Sequence, residues 1–274
     1  LANAFAAVTS NPTEHDVLVN SLTSGDQVTS EESAQAIASD STGNYVVTWT
    51  GLDDSGSGIY GQRFSPAGLS RGPEFLVNTY THRDQESPSV AMNADGSFVI
   101  SWSSYGQDGG GDGVFARVYG ANGTARGPEI KVNQHTSLDQ NFPSITIDGS
   151  GRFIIVWSSC AQAGSGWTTL ARMYEPSGTP IGDEFIVSAM PSGSTQSKVS
   201  MNDGGGFVIV WRPTSQDGSF SDLYAQIFAP DGIPWVDAFK INTDSDPKWP
   251  TVAMDGDGGF VVAWSDNDGN FKGI

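Results

Sequence analysis

The sequence predicts an all-β fold: a five-bladed β-propeller with four antiparallel strands per blade. Two observations carry this reading. The first is a short stretch that occurs five times: Tyr45-Val46-Val47-Thr48-Trp49, Phe98-Val99-Ile100-Ser101-Trp102, Phe153-Ile154-Ile155-Val156-Trp157, Phe207-Val208-Ile209-Val210-Trp211 and Phe260-Val261-Val262-Ala263-Trp264. Its tryptophans are 53, 55, 54 and 53 residues apart, which marks one supersecondary unit used five times. The second is the rhythm around each copy. Short β-branched and aromatic runs alternate with Gly- and Asp-rich turns, and helical periodicity appears nowhere.

The second unit shows the elements in order. Pro88 to Met92 reads as a first strand, and Asn93-Ala94-Asp95-Gly96 as a tight turn whose glycine supplies positive φ. Phe98 to Trp102 is the second strand, apolar enough to be buried on both faces. Tyr105 to Gly113 is a long polar loop, and Val114 to Tyr119 a third strand. After the turn Gly120-Ala121-Asn122-Gly123, Glu129 to Asn133 forms the fourth. Four antiparallel strands repeated radially make a propeller blade. The same phasing places blades at 21–78, 79–133, 134–188, 189–242 and 243–274, the last completed by 1–20. That completion follows from register. Setting Leu1 after Ile274 puts Phe5 where Phe64, Tyr119, Tyr174 and Phe228 stand, and Val17 to Asn20 where a fourth strand belongs. N-terminal strands would then close the ring and leave no open sheet edge at the junction. The alternative is a fragment of a longer array, which would seldom match the repeat phase in this way.

Net charge is −18, from 31 acidic and 13 basic residues. This argues against nucleic acid and anionic membranes as partners. No stretch approaches the roughly 18 apolar residues of a membrane-spanning helix, so no membrane insertion is expected. The single cysteine, Cys160, rules out an internal disulfide framework, and His15, His82 and His135 fall at non-equivalent repeat positions.

The repeat resembles one found in large secreted and surface proteins of bacteria, adhesins and exoenzymes among them. The resemblance rests on Val77-Asn78, Asp84-Gln85, Pro88, Asp95-Gly96, Trp102, Gln107-Asp108-Gly109, Gly58 to Phe64 and Glu74 to Asn78. It covers the whole chain. It implies a secreted or cell-surface bacterial origin and carries no defined activity.

Both long segments of a blade, the loop between strands two and three and the crossover from strand four to the next blade, lie at one end. Any site is expected there. The Asp-Gln pairs of the crossovers, Asp84-Gln85 and Asp139-Gln140, could form repeated polar pockets. Repetition favours the plainer role of satisfying backbone groups, since every blade needs the same crossover. Acidic loops could bind calcium as a cofactor. Asp266, Asp268 and Asn270 carry the first ligand spacings of a calcium loop, but Phe271 replaces the glycine that such a loop needs. Solvated turns are the favoured reading of these loops. Aromatic side chains in or beside loops, Tyr105, Phe142 and Trp249 among them, could stack on sugars or plug gaps between blades. Where a blade departs from the repeat, the structural demand for sameness is removed. The segment from Thr243 to Pro250 departs most, so a ligand is expected near Trp249 with Lys248, Asp246 and Lys198 around it.

The first strands contain no Asp or Glu in their interiors, and no Ser-His-Asp or Cys-His arrangement is evident. The preferred function is therefore binding of a glycan or cell-surface polymer. One alternative is a glycoside hydrolase with carboxylates from strand entrances such as Glu32 and Glu86. The other is a structural spacer or adhesion module without a small ligand, stabilised by calcium.

Overall fold

The fold is described from a computed structural model covering residues 19–20, 26–29, 35–160, 162, 166–188, 194–213, 222–242, 247–267 and 272–273. These residues form nineteen strands and no helix. They make five antiparallel sheets in chain order. The first holds β1 (Ile37–Ser39), β2 (Tyr45–Leu52), β3 (Ser57–Phe64) and β4 (Phe75–Leu76). The second holds β5 (Gln85–Met92), β6 (Phe98–Tyr105), β7 (Asp112–Tyr119) and β8 (Ile130–Lys131). The third holds β9 (Gln140–Ile147), β10 (Phe153–Cys160), β11 (Trp167–Tyr174) and β12 (Phe185–Ser188). The fourth holds β13 (Ser194–Met201), β14 (Phe207–Pro213), β15 (Tyr224–Phe228) and β16 (Phe239–Lys240). The fifth has three described strands, β17 (Lys248–Met254), β18 (Phe260–Asn267) and β19 (Lys272–Gly273). The expected completion of this sheet by residues 2–8 and 17–20 lies outside the described residues, Val19 and Asn20 apart.

The first strands stand side by side, β1 against β5, β5 against β9, β9 against β13 and β13 against β17. Hydrogen bonds join three of these pairs: Val90 N to Gln35 O, just before β1 (2.9 Å), Val199 N to Ser144 Oγ (3.3 Å) and Met254 N to Ser200 Oγ (3.0 Å). Each is thus the innermost edge of its sheet.

The apolar second strands explain why the sheets stack face to face. Phe98, Ile100 and Trp102 pack back onto Val46, Ile59 and Val77 of the first sheet. Val99, on the other face of β6, packs forward with Phe153, Ile155 and Trp157. Ile154 and Val156 in turn meet Phe207, Ile209 and Trp211. A strand covered on both sides shows no alternation of apolar and polar residues, as the sequence indicates. The last sheet differs. Val261 is 71% exposed, whereas its equivalents Val46, Val99, Ile154 and Val208 are at most 2% exposed. Phe239 is exposed as well, while its equivalent Phe75 lies against Phe98 and Tyr119 at ring-centroid distances of 6.4 and 5.5 Å.

Two strand boundaries depart from the sequence expectation. The first strands begin earlier than expected, β5 at Gln85 rather than Pro88, β9 at Gln140 and β17 at Lys248, because Pro88, Pro143 and Pro250 each sit inside a β-bulge. Proline is tolerated there because the strand is an edge and the bulge has no ladder bond to lose. Glu86 is accordingly within β5 rather than at its entrance. The fourth strands β4, β8 and β16 shrink to two residues. In the first two blades an asparagine side chain takes over where the ladder stops. Val77 N still donates to Ile59 O, but Ile59 N donates to Asn78 Oδ1 at 2.7 Å instead of to a backbone carbonyl.

Candidate functional site

The repeated polar residues of the crossovers are held by hydrogen bonds within the scaffold. Asn133 is buried; its Oδ1 accepts from Val114 N (2.8 Å). Its Nδ2 donates to Gln140 Oε1 (3.0 Å), Asp108 Oδ2 (2.8 Å) and His135 O (2.7 Å). Gln140, fully buried, donates onward to Ser137 O and Leu138 O. Asn78 and Gln85 repeat the arrangement one blade earlier, with Nδ2 to Oε1 again at 3.0 Å. The aspartate of each pair reaches back to the third strand of the preceding blade. Asp84 Oδ1 accepts from Ser57 N and Oγ (3.0 and 3.1 Å), and Asp139 Oδ1 accepts from Asp112 N (3.1 Å).

The loop glutamines have a similar task. Gln107 Nε2 donates to Glu129 Oε2 (2.6 Å), and Glu129 Oε1 accepts from Thr79 N and Oγ. Gln162, Glu184 and Gln134 N repeat this triplet. Arg117 Nη1 and Tyr119 Oη both donate to Val77 O, and Arg172 and Tyr174 do the same to Val132 O. Each repeat residue named here spans a crossover or joins neighbouring blades.

A different set of residues gathers at the loop-rich end between the second and third blades. They line a cavity of about 240 Å³. Its lining combines carboxylates and an amide (Asp84, Glu86, Asp112 and Asn141) with two aromatic residues, Tyr105 and Phe142, and two serines, Ser87 and Ser103. Tyr105 ends β6, is 41% exposed, and has the Arg83 guanidinium over its ring at 4.9 Å. Phe142 belongs to the bulge of β9, and its N–H donates to Ser103 Oγ of the neighbouring blade (3.3 Å).

Asp112 opens β7 beneath the cavity. Loss of solvation by burial pushes its carboxyl above the ordinary range. The Asn141 amide, donating to Oδ2 at 3.3 Å, opposes that rise, and the carboxylates of Asp139, Asp108 and Asp84 add to it. Asn141 Oδ1 is buried without a donor. The cavity therefore combines aromatic rings with acceptor oxygens in its lining.

The residues singled out from sequence divide as follows. Asp84 and Tyr105 line this cavity, and Asp139 lies behind Asp112. Gln85 and Gln140 are fully buried in the crossovers. Lys248 and Trp249 belong to β17 rather than to a crossover loop, and Lys198 lies in β13, the strand beside it. None of these three lines the cavity. Asp246, Asp268 and Asn270 lie outside the described residues, as does Glu32. Asp266 is in β18, its backbone paired with Gly273. Among the described residues no group of three or more His, Cys, Asp or Glu side chains is placed to hold a metal ion. Ser87, Ser103 and Asn141 were not singled out. Of these only Ser87 carried a signal: it stands directly before a proline, where the residue changes to Phe142 and Trp249 in other blades.

No family model matches the chain, and no curated protein matches it. Solved structures do. A protein of unknown function from Dyadobacter fermentans aligns at a TM-score of 0.60 and 11% identity, over 86% of this chain and 75% of its own. The α-L-arabinofuranosidase Arb93A of Fusarium graminearum, in complex with an iminosugar inhibitor, aligns at 0.56 and 12% identity, over 90% and 77%. The α-L-arabinanase of Penicillium chrysogenum, complexed with arabinobiose, aligns at 0.55 and 14% identity, over 84% and 75%. At these identities the likeness is one of fold: antiparallel four-stranded sheets in succession over most of the chain.

Proposed function

We propose that this chain is a secreted or cell-surface bacterial propeller that binds glycan, in a lectin-like manner, at its loop-rich end. The ring has five blades, with the boundaries given above, and residues 1–20 complete the last. The observation that carries the reading is the cavity between the second and third blades. A sugar ring has apolar faces and a rim of hydroxyl donors. Tyr105 and Phe142 supply faces to stack on, and Asp84, Glu86 and Asn141 Oδ1 supply acceptors for hydroxyls. A largely preformed concave site with few convergent polar groups suits a small ligand. The glycan-bound enzymes that share the fold support saccharide as the first ligand class to try, arabino-oligosaccharides included. Trp249, Lys248, Asp246 and Lys198 form a second contact region on the same reading, nearer the fifth blade.

A second reading is favoured by one specific feature. Glu86 and Asp112 share the cavity, and Asp112 is held toward its protonated form. Two carboxyls in one cavity, one of them raised above its ordinary range, are the kind of pair that glycoside hydrolysis uses as acid and base. A glycan array read with calcium and with chelator tests binding and any calcium requirement. Incubating each bound glycan with the protein and measuring new reducing ends separates the two readings. Binding without new ends supports the lectin-like function, turnover abolished by Glu86→Gln establishes the enzyme, and no binding at all removes both.

A further inference from the structure

The blades repeat in shape but not in charge. Three positions around the repeated tryptophan can be followed from sheet to sheet by register. The residue after the tryptophan carries a hydroxyl in four blades, as Thr50, Ser103, Ser158 and Ser265; in the fourth blade it is Arg212. Its pairing partner is Val28, Glu86, Asn141 and Thr195 in the first four blades and Lys248 in the fifth. Beyond the bulge, the place held by Ser89, Ser144 and Thr251 is taken in β13 by Lys198. The scaffold does not require a cation at any of the three, since the other blades fill them with neutral or acidic residues.

These three cations face one junction. Val208 and Val210 of β14 pack with Val252, Met254 and Val262 of the fifth blade, and Arg212 is the next residue on that face. In β6 the residue in Arg212's place, Ser103, accepts from Phe142 N of the following blade; the residue in Phe142's place after Arg212 is Trp249. Lys198 pairs with Val210 and shares its face, just as Ser144, in the same place of β9, reaches forward to Val199 N. Lys248 points back toward the fourth blade, just as Asn141, in the same place of β9, reaches back to Asp112 Oδ2.

We infer that the junction between the fourth and fifth blades is an anion subsite that takes the carboxylate of an acidic saccharide. This rests on the glycan-binding reading and deepens it by naming the ligand class at the second contact region. Three of the chain's 13 cationic residues converge here, in a protein of net charge −18. Arg212 is 3% exposed, so its guanidinium is withdrawn from bulk water and its attraction for an anion is little screened. Its planar fork matches a carboxylate with two parallel hydrogen bonds, and the lysine ammonium groups add charge without a strict geometry. Trp249, 37% exposed, holds the place that Phe142 holds at the cavity, and offers an indole face to the sugar ring that bears the carboxylate. Lys198, Arg212, Lys248 and Trp249 each already have an interaction within the protein, so a ligand carboxylate adds to that set or replaces a member of it. The cavity between the second and third blades has the opposite character, with Asp84, Glu86 and Asp112 in its lining, and disfavours carboxylates. A glycan of mixed composition therefore places neutral residues in the cavity and uronic residues at this junction.

Trimers of galacturonic, glucuronic and mannuronic acid, each alongside its carboxyl methyl ester, are the probes. Binding is measured by titration calorimetry at low and high salt. At least one of the acids should bind about tenfold or more tightly than its ester, with an advantage that shrinks as salt rises. Lys248→Gln and Lys198→Gln, which change partly buried strand residues, should each weaken binding of that acid by about tenfold and leave the affinity for its ester unchanged. Arg212→Lys keeps the charge and loses the fork, so it should weaken the acid as well. Melting temperatures of the lysine variants within a few degrees of wild type are expected alongside. Acids bound no more tightly than their esters, or undiminished affinity in both lysine variants, would overturn the inference while leaving neutral-glycan binding in place. An equal fall for acid and ester in the lysine variants would overturn it by making these residues structural. Failure of the wild-type protein to bind any glycan, neutral or acidic, would remove the underlying reading instead.

Discussion

Asn133 gives the sharpest test of how a blade is joined to the next. It is 1% exposed and makes four hydrogen bonds, to Val114 N, Gln140 Oε1, Asp108 Oδ2 and His135 O. Asn133→Ala leaves two of these partners stranded in the interior: the Val114 N–H, on a residue that is fully buried, and Gln140 Oε1, likewise buried. Each unsatisfied buried group costs about 1–3 kcal/mol, so the pair costs about 2–6 kcal/mol. For a domain of this size 1 kcal/mol moves the melting temperature by roughly 2–4 °C, which makes the expected fall about 4–24 °C. Thermal unfolding followed by circular dichroism reads this directly. Asn133→Ser should cost less, because the third blade already carries Ser188 at the same place. A fall below about 1 °C for the alanine variant would refute the reasoning, since the measured scale of such losses leaves no room for it.

Three further outcomes follow from the same geometry. Trp102 is fully buried between the first and second blades, so Trp102→Ala should destabilise by about 3–5 kcal/mol in a denaturant titration; a loss below about 1 kcal/mol would remove its role as a packing residue. Asp112 is raised above its ordinary value of 3.8, chiefly by desolvation, so its ionised form is a burden on the fold at neutral pH and the burden lifts as pH falls. Asp112→Asn should therefore raise the melting temperature at pH 7, with the gain shrinking to nothing below the unfolded value; a gain independent of pH would contradict this. Deleting residues 1–20 should leave the β18 edge unpaired and promote aggregation, as read by light scattering, whereas a soluble variant with unchanged melting temperature would sink the proposed closure.

The sheets were legible in the sequence because blade packing imposes the same demand at each junction between successive sheets. Phe98, Ile100 and Trp102 must meet the preceding blade while Val99 meets the next, so every second strand is written in the same apolar residues. The V-N…D-Q signature was equally legible as a repeat, and its bonds explain why it repeats: Asn133 and Gln140 satisfy a crossover that recurs from blade to blade. The cavity was only half legible. Tyr105 and Asp84 stood out by type, but Ser87 and Asn141 are ordinary polar residues whose importance comes from a bulge. That bulge was hidden because a proline reads as the start of a strand, while here it is the second residue of an insertion opposite Trp102. The same misplacement put Glu86 at an entrance and Lys248 and Trp249 in a loop, where the structure has all three in strands. In the first blade Val28 pairs with Thr50, and Ala36 O accepts from Thr48 N.

The central claim is that the cavity between the second and third blades holds a saccharide. A crystal structure of the protein with the tightest glycan from an array tests it most directly. The account predicts a sugar ring against Tyr105 and Phe142, its hydroxyls within hydrogen-bond reach of Asp84, Glu86 or Asn141 Oδ1. A glycan bound elsewhere, with this cavity filled by solvent alone, would contradict it.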